Sequence, residues 1–466
     1  MTISRRRFLQ GTAAGALLGP TVFNHLLVRR ALASPGDDRY LVVIYLDGGN
    51  DGLNTITPLD DGGATLRQAY DALRPAGVGN IALPVDVLLP IGADPGTGAN
   101  LGLHPALRGI HDLHTEKGCV AFVQGCGYPN YSLSHSTAKR TWQLGRPASA
   151  NQVTGWLGRH LAAAYGPSDV PGVTVDVSLA PEMRQFTTNV LSMRGVADMS
   201  FPYDAAAPGD VAAKRAAFQA TCLGAVADAQ AQAAFAARGG LVTLTSGESY
   251  AAVGELYESA RPSWNDRYDA VNRRLGDDLR EVAKVIYGVE QGVPNVTARY
   301  FQCRSPGYDT HADQGGASLN GRHGSLLAEL GDSLKVFYED LEDIGAADRV
   351  LVMVWSEFSR RPNARTGSDH GSQGPMLLIG GGVAGGVYGN HPNIAPISLA
   401  SDGNTPYSQA TGDPFRSTDF RDVYGSVLKQ WLGVAHQDVL GLLPVDAGPA
   451  SSYWTVENFD LPLFSA

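Results

Sequence analysis

Five short apolar runs punctuate the chain, at residues 40–46, 119–123, 298–303, 349–355 and 375–379. Most are continuous rather than alternating, the pattern of strands buried on both faces of a parallel sheet. Between them the period changes. Residues 105–117 place Leu107, Ile110 and Leu113 on one stripe, which predicts a helix. Residues 172–177 read as a further strand, and 55–103 as loops carrying short strands, with a turn at 94–100. From about 203 to 291 the chain turns alanine-rich, and amphipathic helices are expected over 211–238, 250–260 and 267–287. A closing helix over 418–432 sets Phe420, Val423, Tyr424, Val427 and Trp431 on its inner side, and the tail beyond it has no clear pattern. Strands alternating with helices predict an α/β protein. The expected form is a three-layer α/β/α domain with a mostly parallel central sheet and a helical insertion at about 203–291.

Charged and imidazole groups gather where these runs end. The first run leads into Asp47-Gly-Gly-Asn-Asp51. Asp47 at the tip is a natural metal carboxylate, or a turn-forming residue. Gly48, Gly49 and Gly52 lack the spacing of a dinucleotide fingerprint. After the second run come Ser132, Ser134 and Ser136, ahead of Lys139 and Arg140. A serine at a helix start caps the backbone, or, in the positive end of the helix dipole, acts as a nucleophile. A helix beginning at His135 makes Ser134 the N-cap and the nucleophile of choice, with Lys139 and Arg140 one turn further on to hold an oxyanion.

The third run breaks at Ser305-Pro-Gly307 and delivers Tyr308-Asp309-Thr310-His311 into a loop. The fourth ends in Ser356-Glu357-Phe358-Ser359-Arg360, and Ser368-Asp369-His370-Gly371 precedes the fifth. Ligands of open α/β sheets bind at the carboxyl ends of strands. Carboxylate oxygen and imidazole nitrogen are usual metal ligands, so Asp309, His311, Glu357 and His370 are expected to converge on a divalent metal. The plainer alternative is that they cap turns and helices. No CxxC or HExxH pattern is present. His111 and His114 read as surface residues.

The 466 residues suit one large α/β domain with insertions, and a formal net charge of −10 offers no basic footprint for nucleic acid. Ser4-Arg-Arg-Arg-Phe-Leu9 matches the twin-arginine export signal; an apolar stretch over 12–28 and the small residues at 31–33 follow it. Residues 1–33 are therefore expected to be a signal peptide, with 34–466 a single domain. The twin-arginine translocase is the partner during export, the destination is the periplasm or the exterior, and no stable membrane anchor is expected. Four cysteines in an oxidising compartment allow three pairings. Cys119 and Cys126 are spaced to face opposite sides of a strand, and a disulfide between Cys222 and Cys303 is the preferred expectation.

The twin-arginine start, the run at 46–58, the Ser134-His135 step, Gly155-Trp-Leu-Gly-Arg159, Tyr308–His311, the run at 355–360, Asp369-His-Gly371 and the run at 385–389 together resemble the bacterial exported family called domain of unknown function 1501. That family is similar to a remote branch of the alkaline phosphatase and sulfatase superfamily. The resemblance implies an alkaline-phosphatase-like fold with a di-metal site holding Zn, Mn, Ca or Mg, and hydrolysis of phosphate or sulfate esters, the substrate a small molecule or a glycan. Carried over, it makes Asp47 the first-strand metal carboxylate and Ser134 the nucleophile. Asp309, His311 and His370 then bind one metal, and Glu357 stands at the second. Three departures accompany it. Asp309 and His311 are two apart where alkaline phosphatases have four, Phe358 stands where a histidine is expected, and Glu357 replaces an aspartate. One metal with Arg360 or Lys139 is the mechanism these departures leave. The alternative is a non-catalytic exported protein that keeps the fold and uses its cleft for binding.

Overall fold

The computed structural model describes residues 38–63, 65–77, 81–146, 153–199, 210–228, 231–364, 366–392, 394, 413, 414, 416–443 and 458–465. The leader expected at 1–33 lies outside them. No described helix is long and apolar enough to cross a membrane.

The strands, in chain order, are β1 (Tyr40–Asp47), β2 (Ile56–Pro58), β3 (Leu89–Ala93), β4 (Asn100–Leu103), β5 (Val120–Gly127), β6 (Gly172–Val175) and β7 (Val190–Met193). After the helical stretch follow β8 (Tyr300–Pro306), β9 (Val350–Ser356), β10 (Ser359–Arg360), β11 (His370–Gly371), β12 (Gly374–Ile379), β13 (Gly386–Tyr388) and β14 (Thr418–Asp419). The central sheet runs β13-β5-β12-β9-β1-β8-β6-β7, with β14 on β5. It is mixed but mostly parallel, since only β12 runs against its neighbours β5 and β9. β2, β4 and β3 form a small antiparallel sheet in the stretch expected to be loop-rich.

β1 shows why this sequence makes a central strand. Tyr40, Val42, Ile44 and Leu46 enter one core, with helices Arg274–Glu290 and Arg322–Ile344. Leu41, Val43 and Tyr45 enter the other, with helices His135–Leu144, Trp156–Ala164 and Phe420–Ser426. Both faces of the sheet are thus covered, and a continuous apolar run is what two-sided burial selects. Each fully buried aliphatic side chain contributes roughly 1.5–3 kcal/mol. Parallel register levels the strand ends: Asp47 of β1 lies opposite Pro306 of β8, and Leu46 opposite Ser356 of β9. The residues that follow β1, β8 and β9 therefore emerge at one edge.

The alanine-rich stretch forms helices Val211–Asp228, Ala231–Ala260, Pro262–Val271 and Arg274–Glu290. The last of these belongs to the sheet's own layer, with Leu279, Val282, Ala283 and Ile286 fully buried. The tail, unassigned from its sequence, returns to the core: Leu463 is buried, Phe464 bridges to Val383, and Phe459 lies against Gly425.

Cys119 and Cys126 do face opposite cores. The expected Cys222–Cys303 disulfide is absent, because all four cysteines are free and buried. Cys119 and Cys126 lie in different cores, and Cys303 on β8 has no cysteine beside it among the described residues. Unfolded without reductant, the protein should therefore release four thiols to a colorimetric thiol reagent; two or fewer would contradict this packing.

Glu182 is fully buried, and neither of its carboxylate oxygens has a hydrogen-bond partner among the described residues. Burial pushes its carboxyl up to about 7 from 4.5. The folded state therefore keeps this proton to higher pH than the unfolded chain does, so stability falls as pH rises from 4.5 to 7 and stays lower above. Glu182→Gln should gain on the wild type between pH 5 and pH 8 by on the order of 2–3 kcal/mol. Urea unfolding at the two pH values measures it, and parallel pH profiles would refute it.

Candidate metal centre

Two glycines let the loops close at this edge. Gly48 has φ +128°, and a Cβ there would meet the Asp309 nitrogen at 2.4 Å; at Gly49, φ +74°, it would meet the Phe358 ring at 2.3 Å. A side chain at either position would push the β8 loop or Phe358 away. Gly307 and Tyr308 donate their N–H groups to the Asp47 carbonyl at 3.2 and 3.1 Å, folding the β8 loop over the tip of β1.

Arg360 fastens this junction. Its guanidinium is buried and donates to the carbonyls of Gly49 (2.6 Å), Ser368 (3.1 Å), Tyr308 (3.1 Å) and Gly48, and to Asp309 Oδ1 at 2.8 Å. Those bonds spend the cation that was expected to face an oxyanion. They also fix Asp309: burial raises its carboxyl, but the Arg360 hydrogen bond and charge hold it below the usual carboxylate range.

Three imidazoles close around Asp309. His311 Nε2 lies 3.1 Å and His370 Nε2 3.8 Å from Oδ1, His135 Nε2 is 3.6 Å from Oδ2, and the His311 and His370 Nε2 atoms are 2.9 Å apart. Phe358 lies beneath, its ring centroid 4.8 Å from that of His135 and 4.6 Å from that of His370. The Nδ1 atoms of two rings are committed. His370 Nδ1 is 2.7 Å from the Leu133 carbonyl, which can only accept, so Nδ1 carries the hydrogen and Nε2 presents a lone pair. His135 Nδ1 is 2.7 Å from Glu357 Oε1. That hydrogen bond raises the His135 pKa, while burial lowers that of His370.

Of the residues singled out from sequence, Asp309, His311 and His370 come together. Glu357 and Asp47 do not join them as direct ligands. Glu357 is fully buried and accepts from Gly48 N at 3.1 Å, Ser356 Oγ at 3.2 Å and His135. Asp47 takes Tyr45 Oη at 2.6 Å, Lys139 Nζ at 3.2 Å and Arg304 Nε at 2.8 Å. Lys139 therefore stands on Asp47. Ser134 is the N-cap of the helix starting at His135, as expected, but its hydroxyl makes no capping bond; it is exposed and lies 3.1 Å from Ser136 Oγ. The side chain of the next residue, His135, is the one that meets Asp309.

His135 and Asp369 are the functional candidates that sequence reasoning passed over. His135, Asp309 and His370 present ligand atoms within 4.8 Å of one another, and so do His311, Asp369 and His370. A clue was available for His135, whose spacing of four from Lys139 places both on one helix face. His111 and His114 are not part of any such group; each meets a β3 carbonyl, Pro90 and Ile91, at 3.1 Å.

The donor set fits a divalent ion. His135 Nε2 is buried with no hydrogen-bond partner among the described residues, and buried polar atoms are rarely left so. Its partner Glu357 is the carboxylate that typically holds a metal-binding imidazole in one tautomer. Asp309 and His311 are about half exposed, which leaves an open approach from solvent.

No curated protein matches the chain. Residues 286–441 match the family described as protein of unknown function (DUF1501). That stretch supplies Asp309, His311, Glu357, Arg360, Asp369 and His370, and over it the chain is similar to the DUF1501 family.

Proposed function

We propose that the chain is an exported metal-dependent hydrolase of phosphate or sulfate esters, with an alkaline-phosphatase-like arrangement of sheet and helices. The observation that carries this reading is the orphaned Nε2 of His135, held by Glu357 and facing an Asp309 oxygen at 3.6 Å. With Nδ1–H given to Glu357 and the imidazole neutral, both facing atoms are acceptors, which is the donor set a divalent ion would need there. His135, His311, His370 and Asp309 would hold the ion. Among Zn, Mn, Ca and Mg, an imidazole-rich set favours zinc. Bound there, the ion supplies Lewis acidity to an ester oxygen.

The chain's own groups do the rest. Ser134 is exposed, one residue before His135, and its hydroxyl is not spent on the helix end. Its oxygen attacks phosphorus or sulfur as the bond to the alcohol oxygen breaks, the serine proton passing to that oxygen so that the alcohol leaves; water then hydrolyses the serine ester, returning a proton to Ser134 and releasing phosphate or sulfate. Arg360 keeps Asp309 ionised and in place, and Glu357 keeps His135 in the ligating tautomer. The second reading, a protein that binds an anionic ligand without turning it over, draws support from Phe358 filling the space beside His135 and His370.

Elemental analysis of the purified protein should find a bound divalent metal. His370→Ala should lose it, and Glu357→Gln should weaken metal affinity by about 10–100-fold. A metal-free protein that takes up none on dialysis would sink the proposal.

Ser134→Ala should keep the metal and lose turnover of aryl phosphates and sulfates, at a stability cost of about 1 kcal/mol or less. Wild-type turnover in that variant would remove Ser134 as nucleophile. Metal binding without turnover by the wild type would establish the binding-only reading.

A further inference from the structure

A second charged feature lies one helical turn beyond His135. Lys139 projects from the same face of that helix and donates to Asp47 Oδ1 at 3.2 Å. Arg304, on the neighbouring strand β8, gives Nε to Asp47 Oδ2 at 2.8 Å and its Nη2 to the same oxygen. Tyr45 Oη completes the shell at 2.6 Å from Oδ1. One carboxylate is therefore shared by two cations, and the group carries a surplus positive charge. The next acid toward Arg304, Asp176, is paired with Arg274 at 3.7 Å.

Donors remain to be used. Among the described residues Arg304 Nη1 makes no hydrogen bond, and Lys139 Nζ makes a single one of its three. The two side chains are 42% and 31% exposed, so both heads meet solvent at the edge where His135 emerges. Asp47 holds them at a fixed spacing, which removes much of the ordering cost of binding an anion with long side chains.

The same arrangement does not suit a second metal. A dication approaching Asp47 would meet two fixed positive charges about 3 Å away, a repulsion of several kcal/mol even with strong screening. Glu357, the other acid at this edge, is fully buried with its oxygens taken by Gly48, Ser356 and His135.

We infer that Arg304 and Lys139, seated on Asp47, form an anion subsite beside a single-ion centre. They take the place that a second metal would hold and recognise the oxygens of a tetrahedral oxyanion, phosphate or sulfate. The single-ion part rests on the function proposed above; the paired organic cations stand without it. The substrate class that follows is a monoester whose anionic oxygens remain free to meet a guanidinium and an ammonium.

The test uses inorganic phosphate and sulfate as probes on purified protein, by titration calorimetry, with zinc loaded and with zinc removed. Zinc should saturate at one ion per chain. Lys139→Gln and Arg304→Gln should each weaken phosphate binding by about tenfold, with the zinc ratio and unfolding temperature retained. Lys139→Arg, which keeps the charge, should restore most of the affinity. Two zinc ions per chain at saturation would overturn the single-ion part. Phosphate affinity unchanged in the double Gln variant would overturn the subsite. If no zinc binds but phosphate binding still depends on both cations, the metal reading fails and the subsite stands.

Discussion

Arg360 is the interaction on which this edge of the molecule depends. A guanidinium cannot lose its charge to suit a buried position, so burial obliges the fold to bring it acceptors. It finds them in the loops after β1 and β8, in Ser368, and in the Asp309 carboxylate. Segments distant in sequence are thereby held to within hydrogen-bond length of one planar group. A buried charge that lost such partners would cost several kcal/mol, so the loops after β1 and β8 have little freedom to part.

A second buried guanidinium stands behind the first. Asp51 and Arg74 are both fully buried and joined at 2.7 and 3.1 Å. Burial raises the Asp51 carboxyl, but the charge and hydrogen bond of Arg74, with His323 and Gln314, together hold the pKa low. Arg74 also reaches the carbonyls of Arg361 and Pro362 at 3.0 Å, while Gln314 donates to Asp51 and His323 meets Asn50. The loop after β1 is thus tied on one side to the segment that follows β10, and on the other to the loop leading into helix Arg322–Ile344. This is a second-layer brace: it leaves His311 and Asp309 open to solvent while fixing the backbone beneath them.

The edge divides its charges by environment. On one side three imidazoles surround a carboxylate whose own cation, Arg360, is buried below. On the other, Asp47 is largely covered and holds the more exposed Arg304 and Lys139. Tyr45 and Glu357 lie between, both buried, Tyr45 bonded to Asp47 and Glu357 to His135. Acidic groups that look alike in the sequence thereby meet different partners: Asp309 the imidazoles and Arg360, Glu357 the ring of His135, and Asp47 two cations.

The chain by itself determined the long inner strands of its sheet and several of its helices, because two-sided burial demands unbroken apolar runs and one-sided burial demands a period of 3.6; the short strands β7, β13 and β14 it did not show. It also placed charged and imidazole groups at the strand ends, Asp309, His311 and His370 among them, and these three side chains do meet. Pairing was beyond it. Glu357 and Asp47 have the composition of metal ligands, and only the fold decides that Arg304 and Lys139 reach Asp47 while His135 reaches Glu357. Ser134 drew attention at the helix start, yet the rotation of that helix turns His135 toward Asp309. Whether two thiols meet, and whether a tail packs, likewise depends on contacts between residues far apart in the chain. Local patterns record how each segment is buried; which polar group satisfies which is settled in three dimensions, where every buried charge must find its partner.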